Sequence, residues 1–165
     1  MDLIVEPAGW ALWDRRRMRC ALGRGGVRRE KVEGDGATPV GRFAILKVLY
    51  RPDRLARPST TLPCSAIREI DGWCDAPADA NYNRAVALPY RASAERLWRV
   101  DGLYDLLGVM SYNDPPIPGR GSAIFLHVAA SGYAATEGCV ALALGDLLAV
   151  LADADSTTRV VVLEA

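Results

Sequence analysis

The chain has 165 residues, half of them hydrophobic, which is enough to bury a core without disulfide bonds or a structural metal. Twenty basic residues balance twenty acidic ones, so the chain lacks the surplus positive charge that favours nucleic acids or anionic membranes as partners. We therefore expect one globular domain over residues 1–165, with neither a nucleic-acid nor a membrane partner.

The first fifty residues predict strands. The segments LIVE (3–6) and WALWD (10–14) are separated by a Pro-Ala-Gly turn and indicate an opening β-hairpin. Residues 17–22 alternate between polar and apolar side chains, which predicts a third strand. Residues 41–51 are rich in β-branched and aromatic side chains and predict another.

The rest of the chain predicts further strands and little helix. Residues 52–89 are rich in Pro, Asp and Asn and predict long ordered loops with short strands. The segment SAERLWRV (93–100) predicts a short helix capped by Ser93. Apolar runs of strand length follow, then leucines at helical spacing in residues 144–155 and a final strand in 158–165. The fold class expected is mostly β, with one or two short helices.

The cysteines and the single histidine exclude the common metal sites. Cys20, Cys64, Cys74 and Cys139 show no CxxC spacing, and one histidine cannot complete a typical zinc site, so no metal or cofactor is expected. The first residues show no secretory leader. Free thiols and this opening predict a cytoplasmic protein, or a periplasmic one if the natural chain begins upstream of Met1.

His127 and Cys139 are the residues most suggestive of chemistry. A cysteine is nucleophilic as its thiolate, and a nearby imidazole is the usual group that generates the thiolate at neutral pH. A hairpin-like return over the twelve intervening positions could bring the two side chains together, and Gly138 would let successive N–H groups point at one oxyanion. The alternative is a core histidine and an inert buried thiol, which the pair alone leaves equally open.

Two longer segments favour the catalytic interpretation of His127 and Cys139. EGDGATPVGRF (33–43) and HVAASGYAATEGCVAL (127–142) together resemble the L,D-transpeptidase catalytic domain, also called the YkuD domain. That family combines D-G-x-T-P-x-G-x-F upstream with a histidine followed by [ST]-x-G-C downstream. The matching residues here are Asp35, Gly36, Thr38, Pro39, Gly41 and Phe43, then His127, Thr136, Gly138 and Cys139.

The resemblance implies a β-sandwich or open-barrel catalytic domain that acts on peptidoglycan stem peptides. The bond attacked joins the L-centre of a diamino acid at position three to D-Ala at position four. Cys139 would be the nucleophile, and His127 the base and then the acid. The resemblance also implies that the Val128 carbonyl orients the imidazole, and that the amides of Gly138 and Cys139, with Glu137 as a further candidate, form the oxyanion hole.

Two positions depart from the family pattern. The family often has His or Arg where this chain has Glu137, and Arg where this chain has Ala141. The cation lost there could be replaced by Lys31, Arg84 or Arg120. An acidic Glu137 near the thiol would raise the pKa of the thiol unless its side chain faces solvent.

Aromatic and amide side chains in the loops are candidates for substrate binding. The predicted substrate-binding residues are Trp73, Tyr82, Asn83, Arg84, Tyr112, Asn113, Thr136 and Glu137. With no export signal seen, the preferred function is an L,D-carboxypeptidase that releases D-Ala from muropeptide tetrapeptides during recycling. The alternatives are an L,D-transpeptidase that forms cross-links and a non-catalytic muropeptide-binding module.

Overall fold

The computed structural model describes residues 1–165 and contains fourteen strands and one α-helix. The helix α1 spans Leu144–Asp153, and a single 3-10 turn spans Ser131–Tyr133. The strands are β1 (Leu3–Glu6), β2 (Trp10–Trp13), β3 (Arg16–Ala21), β4 (Val27–Arg28), β5 (Thr38–Pro39), β6 (Gly41–Tyr50), β7 (Cys64–Ala66), β8 (Asp71–Cys74), β9 (Ala85–Ala87), β10 (Ala94–Arg96), β11 (Leu106–Met110), β12 (Phe125–Val128), β13 (Val140–Leu142) and β14 (Arg159–Val162).

The main sheet closes on itself. Its strand order is β11-β12-β13-β3-β2-β1-β14-β6-β7, and β11 also pairs with β6, so eight strands form a ring and β7 extends it. The long strand β6 makes this possible, because its first half pairs with β14 and its second half with β11. The predicted opening hairpin, the third strand and the mostly β fold class are confirmed.

Strands β11, β12 and β13 separate two buried clusters, because successive side chains of a strand point to opposite faces. One face, the helix face, packs against Leu147, Val150 and Leu151 of α1. The opposite face, the cavity face, belongs to a second cluster. The helix face consists of Leu106, Met110, Leu126, Val140 and Leu142, and the cavity face of Leu107, Val109, Phe125, His127 and the adjoining Cys139.

The helix predicted for residues 93–100 is wrong. Ala94–Arg96 forms strand β10, which pairs with β8 so that Glu95 lies opposite Trp73. Tertiary pairing overrides the local helical preference here, since β8 would otherwise lose the partner along one edge. The resulting three-stranded sheet β10-β8-β9 carries Glu95 and Trp73 beside the cavity face.

The other helical prediction is confirmed, since α1 covers most of residues 144–155. At ten residues, α1 is the longest helix, and no helix of the protein is long and apolar enough to cross a membrane.

Candidate active site

His127 lies on β12, Cys139 immediately precedes the neighbouring strand β13, and the two side chains face the same way. Strands β12 and β13 run parallel, with His127 opposite Ala141, so Cys139 lies two residues before the partner of His127. With a rise of roughly 3.3 Å per residue and a strand spacing of about 4.8 Å, the two Cα atoms are about 8 Å apart. Both side chains line one cavity. The expected hairpin-like return is wrong, because residues 129–139 cross over to a parallel strand.

The Cys139 thiol is held in place by backbone groups of the neighbouring segment, residues 123–125. It donates to the Ala123 carbonyl at 3.2 Å and accepts from the Phe125 N–H at 3.3 Å. Cys139 is 6% exposed, and this burial raises the pKa of the thiol to about 12, although the Phe125 N–H, Lys31 and Arg99 oppose the rise. The resting thiol is therefore protonated at neutral pH, so a base must remove its proton before it can attack.

His127 is oriented by its own backbone neighbour. Its Nδ1 lies 2.8 Å from the Val128 carbonyl oxygen, the contact that the resemblance implies. A carbonyl can only accept, so Nδ1 carries the hydrogen and Nε2 keeps its lone pair. Burial lowers the pKa of His127 to about 4, which keeps the ring neutral. The ring also packs edge-on against Tyr104, with centroids 5.3 Å apart.

The loop before Cys139 needs a glycine at position 138, because its backbone there has a positive φ and passes close to the backbone of Ala37. The φ of Gly138 is 134°, and a Cβ there would lie 2.8 Å from the Ala37 carbonyl oxygen. Thr136 closes the same turn, since its Oγ1 accepts from the Gly138 N–H at 3.1 Å and donates to the Cys139 carbonyl at 2.7 Å. The Cys139 N–H makes no hydrogen bond within the protein, so it is available to a ligand.

The upstream EGDGATP segment packs against the loop that precedes Cys139. Thr38 Oγ1 accepts from the Gly23 N–H at 2.8 Å and lies 3.5 Å from the Cys139 carbonyl oxygen. Asp35 accepts from Lys31 Nζ at 2.7 Å and from the amides of Ala37 and Val32. Burial alone would raise the pKa of Asp35, but these donors outweigh it and the pKa is lowered. A charged Asp35 therefore fixes Lys31.

One cavity of about 480 Å³ contains both candidate catalytic side chains. Of the predicted substrate-binding residues, Thr136 and Glu137 line it. Most of its charged and polar lining comes from residues that the sequence analysis did not select. These are Glu33, Asp75, Glu95, Arg99, Tyr104 and Ser122; Glu33 lies in the EGDGATPVGRF segment, and Glu95 and Arg99 lie in the segment that predicted a helix.

Lys31 is the proposed replacement cation that the structure places in this cavity. Its side chain is 3% exposed, and Nζ lies 3.4 Å from the position that a Cβ on Gly138 would occupy. Arg84 instead pairs with Asp114 at the surface, and Arg120 lines a separate pocket. Glu137 is 78% exposed and bonds Arg24, so its carboxylate faces solvent.

Asn83 and Trp73 do not line the cavity, and their polar groups are used within the protein. Asn83 Oδ1 accepts from Trp73 Nε1 at 2.9 Å and from the Ala123 N–H at 3.0 Å. Its amide nitrogen donates to the carbonyls of Tyr112 and Asn113. Since the Ala123 carbonyl also accepts from the Cys139 thiol, Asn83 supports the backbone that holds this thiol, and Asn83 has no polar group left for a ligand.

Tyr82, Arg84, Tyr112 and Asn113 also lie outside the cavity lining. Tyr82 donates to Glu33, and Arg84 is in its surface ion pair. The hydroxyl of Tyr112 donates to a backbone carbonyl, and Asn113 bonds the backbone of its own loop. Their bonds order the loops around the cavity, because each polar terminus already has a partner.

Comparison with known proteins identifies one family. The sequence model of the L,D-transpeptidase catalytic domain, YkuD, matches residues 11–162. No curated protein and no solved structure gives a significant match to the chain. The matched range includes the whole cavity, from Lys31 to Cys139.

Proposed function

Because the chain belongs to the L,D-transpeptidase catalytic domain family, which uses a cysteine and acts on peptidoglycan, we propose that it is an L,D-carboxypeptidase. It would release D-Ala from the tetrapeptide stem of a muropeptide by cutting the bond after a diamino acid. The observation that carries this proposal is the 2.8 Å contact of His127 Nδ1 with the Val128 carbonyl oxygen, in a ring that lines the same cavity as Cys139; a neutral ring with this contact keeps Nε2 as the proton acceptor.

The first half of the reaction forms a thioester. His127 Nε2 takes the proton of the Cys139 thiol, and the sulfur attacks the carbonyl carbon of the diamino acid. The Cys139 N–H is the available donor for the oxyanion that forms. His127 then gives its proton to the departing amine, so that D-Ala leaves as a neutral amine and the ring returns to its resting state.

Lys31 supplies the positive charge that this step needs. Nearby positive charge lowers the pKa of the thiol, and Lys31 and Arg99 are the two cations that act on Cys139. The ion pair with Asp35 holds Lys31 at a fixed position instead of leaving a mobile ammonium. Attack therefore creates negative charge beside a cation that is already in place, which is the arrangement that lowers a barrier.

The second half transfers the acyl group to water. His127, again neutral, deprotonates a water molecule that attacks the thioester, and the products are the tripeptide and the free thiol. The burial of Cys139, a residue that is 6% exposed, supports water as the acceptor, because water reaches a buried residue more easily than a second peptide stem does. The four free cysteines support a reducing compartment, so a cytoplasmic location is part of the proposal and cell fractionation would test it.

Cross-linking is the second candidate. Ala134, Ala135 and Glu137 are exposed at the edge of the cavity and could receive an acceptor stem, whose amine would replace water. Product analysis of the purified protein with a tetrapeptide muropeptide separates the candidates. D-Ala and tripeptide without dimer support the carboxypeptidase, a cross-linked dimer supports the transpeptidase, and binding without turnover leaves the non-catalytic module.

A further inference from the structure

Asp75 has a carboxylate oxygen for which the protein provides no partner. Its Oδ1 is the one buried side-chain oxygen or nitrogen that makes no hydrogen bond. Asp75 lines the cavity that contains Cys139 and His127. A buried polar atom without a partner destabilises the fold, so such an atom in a site calls for a functional reason.

The wall around Asp75 carries more negative than positive charge. Glu95 lies on the same wall, and burial together with the nearby Asp75 raises the pKa of Glu95. Arg99 is the cation there, but its Nε and Nη2 contact Asp101, and its Nη1 lies 3.4 Å from Glu95. No cation of the protein is therefore left for Asp75.

We propose that this wall binds a primary ammonium group of the substrate, with Asp75 as the residue that selects for it. This proposal rests on the proposed function and names the part of the stem peptide that the cavity recognises. An ammonium carries three N–H donors and one positive charge, which suits a carboxylate that lacks both. No group of three or more His, Cys, Asp or Glu side chains is placed to hold a metal ion there, so the ligand that we propose is an organic cation.

The ammonium would come from the side chain of the diamino acid that donates the acyl group. An acceptor amine must lose its proton before it attacks a thioester, whereas a wall with excess negative charge favours the protonated form. The acyl donor has no such conflict, since its side-chain ammonium takes no part in bond making. Asp75 would then distinguish a diamino acid at position three from an apolar residue of equal length.

Two peptides test this proposal directly. They are tetrapeptides with L-lysine or L-norleucine at position three, which differ in the ammonium group alone. Their affinities are measured by calorimetry on the Cys139→Ala protein, where no turnover interferes. The lysine peptide is expected to bind at least about tenfold more tightly, the size of a hydrogen bond to a charged group. Adding Asp75→Asn should remove most of this preference and leave the norleucine peptide unaffected.

The matched control is Asp114→Asn, which removes a carboxylate that pairs with Arg84 outside the cavity. It should leave the preference for lysine unchanged. Thermal unfolding provides a second readout: Asp75→Asn should keep or raise the melting temperature, because it replaces a carboxyl group whose buried Oδ1 has no hydrogen-bond partner. A marked drop in melting temperature would show that Asp75 supports the fold, and would overturn the proposal.

Failure of this proposal can be told from failure of the proposed function. Equal affinity for the two peptides, or an equal loss for both in Asp75→Asn, overturns the ammonium site even if the wild-type protein releases D-Ala. A lysine preference that depends on Asp75 supports the site even if no D-Ala is released. An effect of Asp75→Asn confined to dimer formation would assign the ammonium to the acceptor and overturn the proposal for the donor.

Discussion

The two faces of strands β11, β12 and β13 are formed by alternate residues of the same strands, yet their side chains differ in chemistry. The helix face is apolar throughout and packs on Leu147, Val150 and Leu151. The cavity face places a histidine and a cysteine beside Tyr104 and the charged residues of the cavity wall. The helix face therefore contributes stability through burial, whereas the cavity face keeps polar groups with unused hydrogen-bonding capacity.

Removing the thiol should have the largest effect on the cavity face and little effect on the fold. Cys139→Ala is expected to reduce D-Ala release by at least about 10³-fold, because no other group can form the acyl intermediate. Cys64→Ala is the control, since Cys64 is half-buried and does not line the cavity. Liquid chromatography of the products measures both. Full turnover by Cys139→Ala would exclude the mechanism.

Truncating a side chain that packs on the helix face should have the opposite result: a loss of stability with little effect on activity. Leu151 is fully buried on α1 against the helix face, so Leu151→Ala should lower the free energy of unfolding by roughly 2–5 kcal/mol. Urea denaturation measures the loss. Well below the melting temperature, the folded variant should keep its kcat. A kcat that fell in proportion to stability would mean that the two faces are not independent.

The single histidine makes the pH dependence of stability simple to interpret. Burial lowers the pKa of His127 from 6.5 to about 4, so between these values the unfolded chain binds the proton more tightly. Stability is therefore complete above pH 6.5 and falls as the pH drops towards 4. From pH 6.5 to pH 5 the loss should be about 1.5 kcal/mol.

His127→Gln provides the comparison for that measurement, because it removes the titrating group and keeps a polar side chain. Urea denaturation at pH 6.5 and pH 5 should show a clearly smaller difference for this variant than for the wild type. An equal difference in both proteins would assign the pH dependence to other groups and contradict a buried, neutral His127.

The smallest expected effect is that of Lys31 on the reactivity of the Cys139 thiol. Lys31→Met should raise the pKa of the Cys139 thiol further, because a nearby positive charge is lost, and should slow alkylation by iodoacetamide about tenfold at a given pH. Lys31→Arg should restore most of the rate, whereas Arg120→Met should not change it. Mass spectrometry of the Cys139 peptide follows the reaction. Unchanged alkylation in Lys31→Met would remove Lys31 from the mechanism.

The contrast between the helix face and the cavity face also explains which parts of the molecule can be predicted from the sequence. The helix face and the strands that form it are visible as alternation and leucine spacing, because burial of apolar side chains follows the period of the element. Residues 93–100 mislead, because Glu95 belongs to a strand whose pairing with Trp73 is non-local.

The candidate site is predictable only in part. His127 and Cys139 stand out because imidazole and thiol are chemically rare, and the motif around them is recognisable. Asn83 and Tyr82 look like ligand-binding residues in the sequence, yet their bonds to distant loops use their polar groups. Asp75 shows the reverse: the absence of a partner for its Oδ1 depends on the packing of segments that are distant in the sequence, and it leaves no local pattern.

The acyl intermediate is the most direct test of the account. The wild-type protein is mixed with a tetrapeptide muropeptide, quenched with acid within the first turnover and mapped by mass spectrometry. The account predicts that the tripeptide acyl group is attached to Cys139 and to no other cysteine, with an equivalent amount of D-Ala released. D-Ala release without an adduct on Cys139, or an adduct on Cys20, Cys64 or Cys74, would contradict it.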